Sequence, residues 1–454
     1  MSSEAEKVNI EQQEADEPAG DRGGLVALAL LALLVGAFAG LVGAAFRLSL
    51  AYADRWRDLL IVWAKGHGAA GFLVVIAVCA IAVAFAAWLV RRFSPHASGS
   101  GIPHVEAVVR SELPPAPFIL IPVKFIGGLT AIGAGLALGR EGPSVQMGAT
   151  IAHVVGRAFG CSWKDCRVLL AAGAGAGLAT AFNAPIAGAI FVLEELVRRF
   201  EHRIAIAALG ASATAIAVAR PLLGDAPDLH VQAFVSPLPE TAPLYFALGA
   251  IAGLLAVVYN RTLRLTISLA DRFAPWPGEW RAGLIGAAVG ILAWFAPQLV
   301  GGGDAISQRT LAGNEALALL PAFFLLRLTL GAVSYAAGTP GGLFAPMLVL
   351  GAQMGLFLGL IARHAFPDLA IEPQAFAVVG MAAFFTGVVR APLTGIVLVT
   401  EMTASVTMLL PMLAACFVAM LVPALLRDAP IYDSLRELTL RKVDPERAVP
   451  GGPA

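Results

Sequence analysis

Glu141 has the clearest chemical potential of any residue in this sequence. It lies in Gly139-Arg140-Glu141-Gly142-Pro143, a polar insertion among apolar residues. Two further segments share that character: Gly99-Ser100-Gly101-Ile102-Pro103 and Gly341-Gly342-Leu343-Phe344-Ala345-Pro346. In each, a proline stands where a helix can begin, since the N–H it lacks would be unpaired there anyway. The glycines before it let the chain turn in without steric cost. Each segment therefore reads as the N-terminus of a broken helix, which exposes unpaired N–H groups and roughly half a positive charge. Such an end binds anions without a full cation. Singly, each segment reads as an ordinary loop; together, three such ends converging at mid-membrane make a site for a small anion, held by partial charges that also let it leave.

Other residues add to that reading. An ionisable side chain inside a membrane segment is expensive and is a functional candidate by default. As a carboxylate inside an anion-binding helix start, Glu141 acts as a surrogate anion. Protonated, it would swing away and admit a real one, making it both gate and proton acceptor. The alternative is a glutamate paired with Arg140 at a membrane face. Glu194 and Glu195 follow an apolar run; Glu195 suits a proton relay or, alternatively, a solvated helix end. Lys124, in an apolar stretch, either raises the local positive potential or snorkels to an interface. Tyr432 lies just past the last apolar run, where its hydroxyl can donate to an anion or sit as an interfacial aromatic.

The elements that must position these residues are membrane helices. The chain has 454 residues, is 58% hydrophobic, has a mean hydropathy of +0.79 and is only 14% charged, against about 25% charged in soluble domains. Apolar runs cover 25–46, 69–90, 244–258, 282–295 and 408–426, several reaching the roughly 20 residues that cross a hydrocarbon core. Others are broken by glycine and proline, and irregular backbone at that depth must be buried or line a cavity. The 31 basic residues balance 31 acidic ones, giving no sign of nucleic-acid binding. The four cysteines are expected to be free thiols. No H-E-x-x-H zinc pattern, G-x-S-x-G elbow or Gly-Lys-Ser/Thr phosphate loop is present, so a transporter rather than an enzyme is expected, with no metal and no cofactor. Residues 1–23 are polar and mainly acidic, unlike a signal peptide, and are expected to form a disordered cytoplasmic tail.

An internal repeat organises the rest. Residues 184–194 read A-P-I-A-G-A-I-F-V-L-E and residues 391–401 read A-P-L-T-G-I-V-L-V-T-E, a separation of 207 residues. Glu194 thereby matches Glu401, which suggests a structural helix-end role, whereas Glu195 meets Met402 and has no counterpart. Two halves of about 24–220 and 240–428, joined near 221–239, agree with transporters whose binding sites lie at repeat interfaces.

The three glycine–proline motifs, in this order and spacing, resemble the CLC family of chloride channels and chloride/proton antiporters, and the likeness covers about residues 24–435. The resemblance implies an all-α polytopic fold, an inverted repeat of tilted, broken helices. It implies that Ser100 and Tyr432 offer hydroxyls to a central chloride, and Leu343 and Phe344 their backbone N–H groups. Leu343 stands where isoleucine is more usual, which matters little if only its N–H is used. Glu141 would be the external gating glutamate, Glu195 the internal proton-transfer glutamate, and Lys124 the family's lysine near the pore. Ser100 looks like the chloride-preferring members and Glu195 like the antiporters, with a passive, voltage- or pH-gated chloride channel as the alternative. The resemblance also implies a homodimer with one pore per subunit. The tail at 436–454 is too short for the cytoplasmic CBS domains of many eukaryotic members, which suggests a compact form in a bacterial inner membrane.

Overall fold

A computed structural model describes residues 22–272, 276–313 and 315–443. The expected tail at 1–23 lies almost wholly outside these residues, as does the chain beyond 443. The described residues are overwhelmingly helical. The first half holds α1 (Arg22–Lys65), α2 (Gly68–Phe93), α3 (Ile102–Val109), α4 (Leu120–Gly133), α5 (Glu141–Ala158), α6 (Trp163–Phe182), α7 (Pro185–Phe191) and α8 (His202–Leu223). The second holds α9 (Ala242–Arg272), α10 (Gly278–Phe295), α11 (Asp304–Leu311), α12 (Leu320–Ala336), α13 (Phe344–Ala365), α14 (Pro373–Val389), α15 (Pro392–Thr403) and α16 (Leu409–Leu425), and α17 (Ile431–Val443) follows. Among the described residues, six helices are long and apolar enough to span a bilayer, while α4, α12, α14, α15 and α16 are apolar but shorter. The shorter ones are what glycine and proline breaks produce.

The two halves repeat element by element. A left-handed glycine precedes α3 (Gly101, φ 86°) and again α11 (Gly303, φ 116°). A left-handed residue ends α6 (Asn183, φ 51°) and α14 (Arg390, φ 72°), and proline opens both α7 and α15. Helix pairs cross at the same small residues. Gly148 of α5 meets Gly173 of α6 so closely that a Cβ on either would overlap the other's carbonyl, and Gly351 of α13 meets Gly380 of α14 in the same way. Gly36 and Gly40 of α1 press on Ala211 and Ala215 of α8, as Gly249 of α9 presses on Ala415 of α16. Lipid gives helices no hydrophobic reason to associate, so backbone contact through small residues supplies the packing.

The repeat is inverted, and two glutamates show it. Glu401 in α15 accepts hydrogen bonds from the N–H groups of Ile186 (3.1 Å) and Ala187 (2.8 Å) at the start of α7. Glu194, just past α7, accepts from the N–H groups of Leu393 (3.0 Å) and Thr394 (2.6 Å) at the start of α15. Each helix end caps the other's beginning, so α7 and α15 lie side by side and antiparallel. The connection between halves begins later than the sequence implies: Pro221 lies inside α8, and the irregular segment starts at Gly224.

Beyond α16 the chain continues in a helix across residue 436, where the short tail is expected to begin. Helix α17 crosses that boundary and packs against α3. Ile431, Tyr432 and Leu435 are buried. The turn before it is anchored by Asp428, whose carboxylate accepts from Asn260 Nδ2 (3.1 Å) and pairs with Arg264.

Candidate anion site and gate

The three glycine–proline segments do begin helices, and they meet. Helix α3 starts after Gly101 with Pro103 in its first turn, α5 starts at Glu141 with Pro143 in its first turn, and α13 starts at Phe344 with Pro346 in its first turn. Backbone hydrogen bonds hold the segments together. Gly139 N donates to Gly342 O (2.8 Å) and Gly342 N to Gly139 O (2.7 Å). Gly99 N donates to Thr339 O and Gly341 N to Gly99 O, both at 3.1 Å. Thus the approach to α13 is stitched to the approaches of both α3 and α5, which pairing from 200 residues away in sequence accomplishes.

Glu141 occupies the convergence. Its Oε1 accepts a hydrogen bond of 2.6 Å from the backbone N–H of Phe344, and the residue is fully buried. Its Oε2 has no partner among the described residues. A Cβ on Gly342 or Gly139 would overlap this carboxylate, and one on Gly142 would overlap Ser100. The absent side chains are the space in which the carboxylate and Ser100 sit. Arg140 is not Glu141's partner. It donates to Ala181 O (2.8 Å) and pairs with Asp228 (3.0 Å) and with Asp304. Asp228 also binds Arg47 at 2.7 Å. The Glu141 carboxylate is thereby left to the start of α13.

On the other side of Phe344 stands Tyr432, with ring centroids 6.0 Å apart. Tyr432 is fully buried, not interfacial, and its hydroxyl has no partner among the described residues. The Ser100 hydroxyl is likewise buried without a partner among them. A buried hydroxyl lacking a hydrogen bond costs about 1–3 kcal/mol. Leu343 and Phe344, at the start of α13, are fully buried beside them. Lys124 does not snorkel: it is fully buried and its Nζ donates to Ala97 O (3.0 Å) and Gly99 O (2.7 Å). It fixes the strand of backbone that carries Ser100. Sequence reading missed Tyr335, whose hydroxyl accepts from Ser100 N (3.4 Å). Its only signal is position, a tyrosine six residues before Gly341.

Glu195 lies apart, in a π-helical turn spanning Val192–Leu196. It is buried and pairs with Arg198 (3.3 Å), which also binds Asp433 (2.8 Å), the neighbour of Tyr432. It borders a cavity of about 640 Å³. Glu106, fully buried, joins the group through Arg198 (3.7 Å) and Arg436 (3.7 Å) and pairs with Arg110 (2.8 Å). Neither Glu106 nor Asp433 was singled out in the sequence, because their pairings with Arg198 join positions remote along the chain. Between Glu195 and Glu141 stand rings: Phe191, four residues before Glu195, packs edge-on to Phe344 at 5.7 Å. Phe385 lies against Phe344 at 4.6 Å.

Comparison with known proteins agrees with this arrangement. The family described as voltage gated chloride channel matches residues 82–424. The chain is 38% identical over 432 residues to an H(+)/Cl(-) exchange transporter, ClcA, of Salmonella arizonae, covering 93% of this chain and 91% of that protein. It is 37% identical to the ClcA of Vibrio parahaemolyticus, with 91% and 90% covered. Among solved structures, a slow cyanobacterial Cl-/H+ antiporter superposes with a TM-score of 0.87 at 32% identity, over 91% of this chain and 98% of that one. A eukaryotic CLC transporter shares the fold, with a TM-score of 0.77 at 24% identity, over 91% and 74%.

Proposed function

This chain belongs to the voltage gated chloride channel family, CLC, and from that premise we propose that it exchanges chloride for protons across a bacterial inner membrane. The observation that carries the proposal is the Glu141 carboxylate on the amide of Phe344. It fills with a tethered anion the helix start that would otherwise take a free one. Chloride would be held by the hydroxyls of Ser100 and Tyr432 and the N–H groups of Leu343 and Phe344. Protonation removes the charge that holds Glu141 to the helix end, so one event opens the anion path and loads a proton. Glu195 supplies that proton from the opposite side, and Lys124 positions Ser100. The curated relatives are named as H(+)/Cl(-) exchangers, in keeping with antiport rather than a passive channel. The working unit is a homodimer with one pore per subunit.

Proteoliposomes with a chloride gradient and a pH-sensing dye test the reading. Protons should move uphill as chloride runs down. Glu195→Gln should keep chloride flux and lose proton movement. Chloride movement without any proton movement in the unaltered protein would refute antiport and reduce Glu195 to a structural residue.

A further inference from the structure

A cleft of about 890 Å³ opens beside the Glu195 turn, between the starts of α6 and α8. Six basic side chains line it, Arg110, Lys164, Arg167, Arg198, Arg199 and Arg203, against two acids, Glu112 and Glu201. Three of these bases are paired with acids, Arg110 with Glu106 (2.8 Å), Arg198 with Glu195 (3.3 Å) and Asp433 (2.8 Å), and Arg203 with Asp165 (2.8 Å). Of the lining acids, Glu112 is engaged by Arg436 (3.4 Å). Lys164 and Arg199 are exposed and have no ion-pair or hydrogen-bond partner among the described residues. The N-terminus of α6 enters the same space, with Ser162, Trp163 and Lys164 on the wall, and its dipole adds to the positive potential.

Like charges gathered in a concavity repel one another, and a low-dielectric wall focuses their field outward. A multivalent anion relieves this, and its shape is set by the donors. Guanidinium forks match the spacing of phosphate oxygens and bind them bidentately, while a single chloride cannot span several forks. The level of the cleft also fits. Phe159 and Phe200, exposed at 63% and 72%, flank its elements, as aromatics do at a headgroup layer. We propose that this cleft binds a phosphate-bearing anion, drawn either from the headgroup of an anionic phospholipid or from soluble polyphosphate. Arg198 belongs both to the cleft wall and to the ion pair with Glu195, so an occupant would act on the proton-side acid. That consequence rests on the role proposed for Glu195; the binding itself does not.

The experiment is a calorimetric titration of the full-length protein, in neutral detergent, with inorganic tripolyphosphate. Saturable binding is expected, weakened at least about tenfold in Lys164→Ala/Arg199→Ala, since two charge-assisted contacts are lost. A control carrying Lys65→Ala/Arg309→Ala, basic positions outside the cleft, should bind as the unaltered protein does. Lys164→Gln alone provides a milder probe should the double variant fold poorly. Repeating the titration in micelles loaded with phosphatidylglycerol separates the sources: abolished binding identifies a lipid headgroup, retained binding a soluble phosphate. No saturable heat, or equal weakening in the cleft and control variants, overturns the proposal. Neither result touches the antiport reading, because no transport is measured.

Discussion

At the scale of single residues, the site separates groups that fold the protein from groups that wait for a ligand. The hydroxyls of Ser100 and Tyr432 are buried and unpartnered, so removing them relieves a desolvation cost rather than breaking a bond. Ser100→Ala and Tyr432→Phe should therefore leave the melting temperature in detergent unchanged or raise stability by up to about 1 kcal/mol. The same variants should weaken chloride binding measured by calorimetry. A drop in stability with unaltered binding would mean that the hydroxyls serve the fold. Lys124 makes the opposite case. Its ammonium satisfies the carbonyls of Ala97 and Gly99. Gly99 O keeps the N–H of Gly341, so Lys124→Met strands the Ala97 carbonyl, at a cost of about 1–3 kcal/mol. That variant should melt lower and also bind chloride less well, because the backbone bearing Ser100 loses its tether. Normal melting would exclude this anchoring role.

At the scale of elements, the reciprocal caps on α7 and α15 are the device that relates the halves. Glu194→Ala and Glu401→Ala each strand two N–H groups at a helix start, at a cost of about 1–2 kcal/mol. Their functional consequences should differ. Glu194 adjoins Glu195 in the π-helical turn, so Glu194→Ala should lower the ratio of protons to chloride moved, while Glu401→Ala should lower stability and keep the ratio. Parallel flux traces in proteoliposomes decide this, and equal ratios in the two variants would deny Glu194 a positioning role. These glutamates were also what made the repeat legible in sequence, because Pro185 and Pro392 with Glu194 and Glu401 are residues whose chemistry fixes a helix start and its cap. The three glycine–proline segments were legible for the same reason. The correspondence of Gly101 with Gly303 was not, since it lies in backbone dihedral and leaves only glycine in common. Helix α17 was hidden for another reason. Asp433 and Arg436 look solvated in sequence, yet they meet Arg198 and Glu112, partners more than 200 residues away. Long-range pairing of this kind has no local signature, which is also why Tyr335 went unread; Glu106 offers in sequence only an ordinary i,i+4 contact with Arg110.

At the scale of the whole molecule, the two acids sit in different settings, and the proposed exchange would place them on different branches of one pathway. Glu141 is held by the start of α13, Glu195 by Arg198 beside α17, and the rings of Phe191 and Phe344 stand between them. Tyr432 also packs on Phe344, with its ring nearly parallel rather than edge-on, and on the proposed reading an anion leaves past Tyr432 without passing Glu195. If the branches are separate, removing one acid should leave the chemistry of the other intact. Chloride flux should rise as pH falls, since protonation cancels the attraction between the Glu141 carboxylate and the helix N-terminus that holds it in place. That dependence should survive in Glu195→Gln, which still carries the gate, and should vanish in Glu141→Gln, which mimics the protonated gate at every pH. Chloride-electrode recordings from proteoliposomes across pH 4.5–7.5, a window of about three units above the ordinary glutamate value of about 4.3, give the comparison directly. A pH dependence lost in Glu195→Gln would place both acids on a single shared path and would make the aromatic wall a mere packing feature.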